Sequence, residues 1–459
     1  MTWSSARQVG PWSDQAGDAL VEAALDEARR RGVDVEVYLA ASRSIQIRVQ
    51  EGQVESFTVA DSRGAGLRVF RGGRVGVAST EVMQPEALRE AVREAAFFAN
   101  LLEPLAGQEL PEPGGELPIL DLSGPSLREV SVEARVARVL ELDALAREAD
   151  PRVKTVVGSS WGDVSSHARL VSSAGMDRMW AADTAWMAVS PLVAEGGQTK
   201  NGRKVVAARD FGAFVPAQVA REAVEDALIQ LGAAGVASGQ YPVVFTAEAW
   251  ADMLGVFAGL FSGKAVEEGK SLLRGRLGER LAAEGLTILD DPLRPEGMAS
   301  RPCDDEGVLS RPLELVRGGV LSGLLHNVAT AARAGTRSTG HASRASYRGA
   351  VGVGSSNLVV LPGTTSAAAL RSGPAVIEVR DVTGLHAGAN PISGDFSLQA
   401  HGLLHREGDA PEPIHLFTVS GNVLEMLANV EALGTEVTVL PSGVFTPEVR
   451  IGALSIAGS

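Results

Sequence analysis

The order of strand-like and helix-like patterns constrains this fold more than any other feature of the chain. Residues 14–31 and 132–147 carry apolar stripes at helical spacing, whereas residues 33–39 alternate between apolar and polar side chains. Residues 85–102, with Pro85 in the first turn, and residues 216–231 also have helical patterns. Turns are predicted at Glu51-Gly52 and Gly72-Gly73, and residues 153–211 look like strands joined by glycine-containing turns. Strands and helices mix without the regular alternation that builds a parallel sheet, so the sequence predicts an α+β fold.

The second half of the chain is richer in strand patterns. A strand near residues 242–245 precedes a helix over 247–261. The helix has a packing stripe at helical spacing, for the core or for a partner subunit, made of Trp250, Met253, Leu254, Phe257, Leu260 and Phe261. Strands and helices then alternate irregularly to the end. The predicted strands cover 313–316, 358–361, 376–382, 396–404 and 415–419, and the predicted helices cover 325–334 and 423–433. Frequent glycines favour a curled or barrel-like sheet here.

A run of small residues at 232–239 suggests a boundary between two domains. The sequence therefore predicts an N-terminal α+β domain over residues 1–235, in which helices and a sheet are mixed. It predicts a strand-rich C-terminal domain with helices over residues 236–459.

Bulk composition narrows the class of protein. The net charge is −14 and no dense basic face is visible, which argues against direct nucleic-acid binding. No stretch approaches the roughly 20 apolar residues of a membrane span. The single cysteine, Cys303, cannot form an intrachain disulfide, and no basic-then-apolar leader opens the sequence. We expect a cytoplasmic protein in which Cys303 is buried or inert.

One segment has the G-x-S-x-G pattern of a nucleophile elbow, from Gly158 to Gly162. A true elbow joins a strand to a helix, but residues 164–172 show no helical stripe. A β-turn between two strands is the better interpretation.

His401 and His405 are four residues apart, a spacing at which two histidines on a helix can bind one zinc ion. The surrounding residues alternate like a strand, which separates the two by about 13 Å. We expect two surface or turn histidines.

The acidic pairs Asp290-Asp291 and Asp304-Asp305 could bind a hard cation, but acidic residues before Pro or Gly also form ordinary turns. The turn interpretation is favoured.

Several short motifs in the second half occur in a characteristic order over more than 150 residues. They are Gly269-Lys-Ser-Leu-Leu-Arg-Gly275-Arg-Leu-Gly278-Glu279, Leu286-Thr-Ile-Leu-Asp290-Asp291-Pro292, Asp304-Asp305-Glu306-Gly307, Ser338-Thr339-Gly340-His341 with Arg344, and Ser393-Gly394-Asp395-Phe396-Ser397 before Ser420-Gly421-Asn422. In these motifs and their order, the chain resembles the TldD/PmbA family, also called the modulator-of-DNA-gyrase family.

The resemblance implies one of two branches. In the TldD-like branch a helix carries H-E-x-x-x-H, whose histidines bind zinc and whose glutamate serves hydrolysis. Counting back without gaps from Gly269 places Leu254 and Gly259 at the histidines and Gly255 at the glutamate. None of the three side chains can coordinate zinc. This pattern favours the PmbA/TldE-like branch, with no catalytic residue, metal ligand or cofactor in this chain.

The resemblance therefore implies a non-catalytic subunit that pairs with a zinc-bearing TldD-like paralogue to hydrolyse unfolded or modified peptides. Two alternatives stay open: a homodimeric peptide-binding adaptor without enzyme activity, and a stand-alone metallopeptidase with unfamiliar ligands. We assign part of a peptide groove to Ser338, Thr339, Gly340 and Arg344.

Overall fold

The fold is described from a computed structural model, which describes residues 11–12 and 15–458. The predicted start of the first helix at Asp14 lies outside these residues. About 25% of the chain is helix and 39% is strand, which confirms the α+β class.

The first half builds one large sheet with helices beside it. Its elements are α1 (Gln15–Arg31), β1 (Asp34–Gln50), β2 (Gln53–Arg71), β3 (Arg74–Thr80), α2 (Pro85–Leu101), α3 (Pro125–Glu129), α4 (Val132–Glu148), β4 (Val153–Ser172), β5 (Asp177–Glu195), β6 (Gln198–Asn201), β7 (Lys204–Ala208) and α5 (Pro216–Leu228). The predicted helices and the turns at Glu51-Gly52 and Gly72-Gly73 are confirmed.

The seven strands form a half-barrel in the order β3-β2-β1-β4-β5-β6, with β7 also paired to β5. Odd-numbered residues of β1 from Val35 to Val49, except the exposed Arg43, are buried under the helices. Helices α1 and α2 pack over one end of this face, and α4 and α5 pack over the other. Even-numbered residues of β1 point to the opposite face, because successive strand side chains alternate.

The predicted β-turn at Gly158–Gly162 is wrong. These residues lie inside β4, which runs unbroken from Val153 to Ser172. Trp161 is fully buried among the helix-side residues, so the segment is a continuous strand. Glycine and serine suggested a turn locally, but pairing with both β1 and β5 keeps the strand extended.

The second half begins at residue 239 and contains shorter elements. They are β8 (Gly239–Phe245), α6 (Ala247–Phe257), α7 (Gly263–Glu267), β9 (Ile288–Asp290), β10 (Leu313–Arg317), β11 (Val320–Leu321), α8 (Val328–Arg333), β12 (Ala342–Ser343), β13 (Gly352–Val353), β14 (Leu358–Val360), α9 (Ala367–Leu370), β15 (Val376–Thr383), α10 (Leu385–Gly388), β16 (Asp395–His405), β17 (Glu412–Asn422), α11 (Val423–Ala428), β18 (Val430–Leu433), β19 (Thr438–Val439), β20 (Val444–Thr446) and β21 (Val449–Ala457).

A closed barrel of five strands confirms the curled sheet expected here. The order is β17-β16-β15-β8-β21, and β17 also pairs with β21, which closes the ring. A second sheet runs β11-β10-β9-β14-β20-β19 beside it. One large core joins the two sheets and α6.

The helix predicted over 423–433 is correct at its start and wrong at its end. It ends at Ala428, and Val430–Leu433 forms β18, which pairs with β21. The alanines and leucines here fit a helix by propensity, but the free edge of β21 provides a sheet partner. Among the described residues, none of the helices is both long and apolar enough to cross a membrane.

Candidate functional site

Helix α6 and the 3-10 turn that follows it (Ala258–Phe261) carry the positions at which the resemblance places the zinc motif. The Thr246 side chain accepts a hydrogen bond from the Ala249 backbone and so caps the start of the helix. Leu254 is buried in the core, whereas Gly255 and Gly259 lie on the exposed side. The predicted packing stripe is confirmed as core, and its members are Trp250, Met253, Leu254, Phe257, Leu260 and Phe261.

The residues at these positions do not fit a zinc ion. Leu254 offers only carbon atoms and faces the hydrophobic core, and a glycine has no side chain with which to coordinate metal. A Cβ added at Gly255 or Gly259 would meet no atom within 4 Å, so both positions are open and present no side-chain ligand. Within the part of the chain that is described, no three His, Cys, Asp or Glu residues are grouped to hold a metal.

Cys303 is buried, with 1% of its surface exposed, and forms no disulfide. Burial raises the pKa of its thiol, and the nearby charge of Asp304 raises it further. A thiol with a raised pKa is a poor nucleophile. The structure therefore agrees with the prediction of a buried cysteine.

His401 and His405 lie on β16, as the strand pattern predicted. The expectation of surface or turn positions is wrong, because their side chains are only 16% and 14% exposed. Strand β16 lies between β15 and β17 and has no free edge. His405 Nε2 is 2.9 Å from a carboxylate oxygen of Glu378, and His401 lies 3.9 Å from carboxylate oxygens of both Asp226 and Asp381.

The first residue of each acidic pair, Asp290 or Asp304, has a structural role in the interior. Asp290 is fully buried and its carboxylate lies 3.0 Å from Nε2 of His341. Asp304 is also fully buried and accepts backbone N–H bonds from Glu306, Val308 and Ala342. Burial and the charge of Glu306 raise the pKa of Asp304 to about 7. Both carboxylates hold loops of the second half together.

Arg344, which we predicted in a peptide groove, lies at the junction of the two halves. Its guanidinium is 2.8 Å from Glu36 on β1 and stacks 4.3 Å above the Tyr38 ring. Arg68 on β2 binds the same Glu36 and also Glu306 of the second half. Burial opposes ionisation of Glu36, but the charges of Arg68 and Arg344 outweigh it and lower its pKa. The network ties the half-barrel to the second half.

The other predicted groove residues make contacts within the second half. The Ser338 and Thr339 hydroxyls bond the carbonyl oxygen of His326, and Gly340 has a positive φ of 78°. These contacts account for the residues without a peptide, so their assignment to a groove stays a prediction.

Tyr347 covers part of the half-barrel face that points away from the helices. A Cβ at Gly64 would lie 2.4 Å from the Tyr347 ring, and one at Gly66 would lie 2.0 Å from its carbonyl oxygen. Both positions on β2 must therefore be glycine for the second half to pack this closely. The close approach could not be read from the glycines alone.

Beyond Tyr347 the same face is open, and sequence reasoning missed it. We call this region the open face. It contains three rows of directly paired residues across β2, β1, β4 and β5: Ser62, Ser42, Ser166 and Ala182; Ala60, Ser44, Val164 and Thr184; Thr58, Gln46, Gly162 and Trp186. The rows are almost entirely small or polar side chains, so the surface is shallow.

Trp186 is the one large side chain of the open face. A Cβ at Gly162 would lie 2.4 Å from the indole nitrogen, so Trp186 lies across the bare backbone of β4. Trp186 is 37% exposed and Val164 is 38% exposed. The region combines an exposed aromatic ring with many hydroxyl groups. The alternation of small residues in β4 and β5 was the available signal for it.

The chain matches three successive family models. They describe PmbA/TldA metallopeptidase domain 1 over residues 35–99, the central domain over 125–231 and the C-terminal domain over 238–458.

Similar proteins of nearly the same length occur in bacteria and archaea. A protein named metalloprotease PmbA from Escherichia coli O157:H7 is 24% identical, with 94% of this chain and 95% of that protein covered. An uncharacterised protein of Methanocaldococcus jannaschii is 28% identical, with 92% and 97% covered.

Two solved structures share the whole fold. A Thermotoga maritima protein described as a candidate modulator of a DNA gyrase has a TM-score of 0.90 at 26% identity, covering 96% of this chain and all of its own. TldE from Thermococcus kodakarensis has a TM-score of 0.87 at 25% identity, with the same coverage.

Proposed function

This chain belongs to the PmbA/TldD family of metallopeptidases, and we propose that it is the non-catalytic subunit of a two-subunit peptidase. The partner is a TldD-like paralogue whose own helix carries the zinc ligands. The observation that carries the proposal is the chemistry of α6. The three positions of the zinc motif hold Leu254, Gly255 and Gly259, which supply no lone pair to a metal.

The packing of α6 supports the same proposal. Recovering a ligand at position 254 would place a polar side chain in the core, where Leu254 now contacts apolar neighbours. An unpaired buried polar group costs roughly 1–3 kcal/mol. The helix is adapted to packing, so loss of the metal-binding residues is accommodated by the fold.

The open face supports a role in holding peptide. An extended peptide binds most readily to a shallow surface with hydrogen-bonding groups and few bulky side chains. The open face offers serine and threonine hydroxyls, and Trp186 gives an exposed aromatic ring for an apolar side chain. In this proposal the subunit provides one wall of the peptide groove.

The test of function is reconstitution. The purified chain is mixed with a paralogue that carries H-E-x-x-x-H, and the mass of the product and cleavage of an unfolded peptide are measured. We expect a complex of the two chains that hydrolyses peptide, and no hydrolysis by this chain alone. Replacing the glutamate of the paralogue's motif by glutamine should abolish cleavage. Failure to form a mixed complex would favour the homodimeric adaptor.

A second measurement tests the open face. Val164→Arg places a long charged side chain on the open face, whereas the control Val439→Arg changes a similarly exposed valine of the second half, which is 45% exposed. We expect Val164→Arg to raise KM for an unfolded peptide in the complex and Val439→Arg to leave it unchanged. Equal KM values for both variants would exclude the open face as the groove wall.

A further inference from the structure

His401 lies where the second half of the chain faces helix α5 of the first half. Its strand β16 runs between β15 and β17, and His401 pairs with Asp381 on β15 and with His415 on β17. Cross-strand partners share one face of a sheet, so the three side chains form a row. Nε2 of His401 is 3.9 Å from Oδ1 of Asp226 on α5. One imidazole therefore stands between a carboxylate of each half.

Both nitrogens of His401 face a carboxylate oxygen at the same distance. Nδ1 is 3.9 Å from Oδ2 of Asp381, and Nε2 is buried and has no hydrogen-bond partner among the described residues. Oδ2 of Asp226 accepts the backbone N–H of Arg203, which keeps Oδ1 turned toward the imidazole. A neutral imidazole has one N–H, so one of its nitrogens always presents a lone pair to a carboxylate. An imidazolium has two N–H groups, one for each carboxylate.

The two carboxylates beside His401 have no other cation next to them. Among the described residues, neither Asp226 nor Asp381 has a lysine or arginine nitrogen within 4.0 Å. Burial and the charge of Lys200 lower the pKa of His415, so this second histidine of the row does not supply the missing positive charge. The charged or titratable groups on the surrounding elements are Asp226 and Glu222 on α5, Asp381 on β15, His415 on β17, Lys200 on β6, Arg203 before β7, Lys204 on β7, and Glu248 and Asp252 on α6.

We propose that His401 is a pH-dependent clamp between the two halves of the chain. When it gains a proton, it donates one hydrogen bond to Asp226 of α5 and one to Asp381 of β15, and each gap of 3.9 Å closes to about 2.8 Å. When it loses the proton, α5 is released from this contact. The clamp needs neither peptide nor a partner subunit, so it is independent of the proposed peptidase function.

The clamp operates over a limited range of pH. A histidine ordinarily gains its proton near about pH 6.5, and an aspartate loses its charge near about pH 4. Burial raises the pKa of Asp381, so the charge of this partner is lost early as the pH falls further. The hold on α5 should therefore be strongest near about pH 5.5 and weaker at about pH 8. The junction at Glu36 does not follow this profile, because its two arginines stay charged and the pKa of Glu36 is lowered.

Hydrogen exchange of α5, followed by mass spectrometry, tests the clamp. Wild type is compared with His401→Gln at each pH, so the pH dependence of the exchange chemistry cancels in the ratio of the two rates. We expect the rate in the variant, divided by the rate in wild type, to rise about tenfold from pH 8 to pH 5.5, because only wild type gains the two charged hydrogen bonds. The control His386→Gln changes an exposed histidine of α10, and its ratio should be the same at both pH values.

Asp226→Asn tests the partner on α5 separately. Asparagine has the size of aspartate and still accepts the N–H of Arg203, but it carries no charge for the imidazolium. Its exchange ratio to wild type should show the same rise of about tenfold from pH 8 to pH 5.5. A ratio that does not change with pH for either Asp226→Asn or His401→Gln would overturn the proposal, since the two side chains would then serve packing alone.

Discussion

Substituting Gly255 by alanine tests whether helix α6 serves only packing or takes part in catalysis. If position 255 belonged to a working zinc site, the residue there would act on the substrate, and a change would abolish cleavage. In this structure Gly255 is an ordinary exposed residue of α6. We therefore expect Gly255→Ala to stabilise the protein and to leave the activity of the reconstituted complex unchanged.

The magnitude follows from the local geometry. The φ angle of Gly255 is not positive, and an added Cβ would meet nothing within 4 Å, so alanine fits without strain. Alanine is favoured over glycine in a helix by roughly 0.5–1 kcal/mol, since glycine loses more backbone entropy on folding. The helix continues into a 3-10 turn at Ala258–Phe261, so position 255 does not lie at a fraying end. The expected gain is about 0.5–1 kcal/mol in the free energy of unfolding.

Urea denaturation monitored by circular dichroism measures this gain, with Gly307→Ala as the contrasting control. Gly307 has a φ of 80° and its Cβ would lie 2.2 Å from the Met176 sulfur, so the same substitution should destabilise the protein there. A destabilised Gly255→Ala variant, or one whose complex loses peptide cleavage, would refute the reasoning, because it would mean that position 255 needs to remain bare for function.

Three further predictions concern the junction and the barrel. Gly66→Ala should destabilise the protein by more than about 2 kcal/mol in urea denaturation, because its Cβ would overlap the Tyr347 backbone. Glu36→Gln should lower the free energy of unfolding by about 3 kcal/mol at pH 7, since it leaves the charge of buried Arg68 undercompensated. Because the pKa of Glu36 is lowered in the folded state, the difference in stability between wild type and variant should shrink as acid protonates Glu36. Partial burial and neighbouring charge raise the pKa of Asp252 to about 6, so ionised Asp252 disfavours the fold. Asp252→Asn should raise the melting temperature at pH 7, and the gain should vanish below about pH 4, where the wild-type carboxyl is protonated in both states.

The sequence predicted the helices and strands whose patterns are local. Helix α2 begins at Pro85, and the turn at Gly72-Gly73 joins two strands, because proline and paired glycines determine backbone geometry within a few residues. The burial of Leu254 and Phe257 also followed from helical spacing alone. These features depend on neighbours in the chain and need no knowledge of distant contacts.

Features that depend on distant contacts were not predictable. The strand Val430–Leu433 forms because β21 has a free edge, and no residue within the strand indicates that partner. The open face is assembled from four strands, so its surface appears only when their registers are known. Arg344 was assigned to a peptide groove from the sequence, but its pairing with Glu36, more than 300 residues away, was not predicted.

The zinc content of purified samples tests the central claim most directly. Elemental analysis of the isolated chain, and of its complex with a paralogue carrying H-E-x-x-x-H, gives the ratio of zinc to protein in each. The account predicts a ratio near zero for the isolated chain and bound zinc only when the paralogue is present. Stoichiometric zinc in the isolated chain, lost on treatment with a chelator together with peptide cleavage by that chain alone, would contradict it.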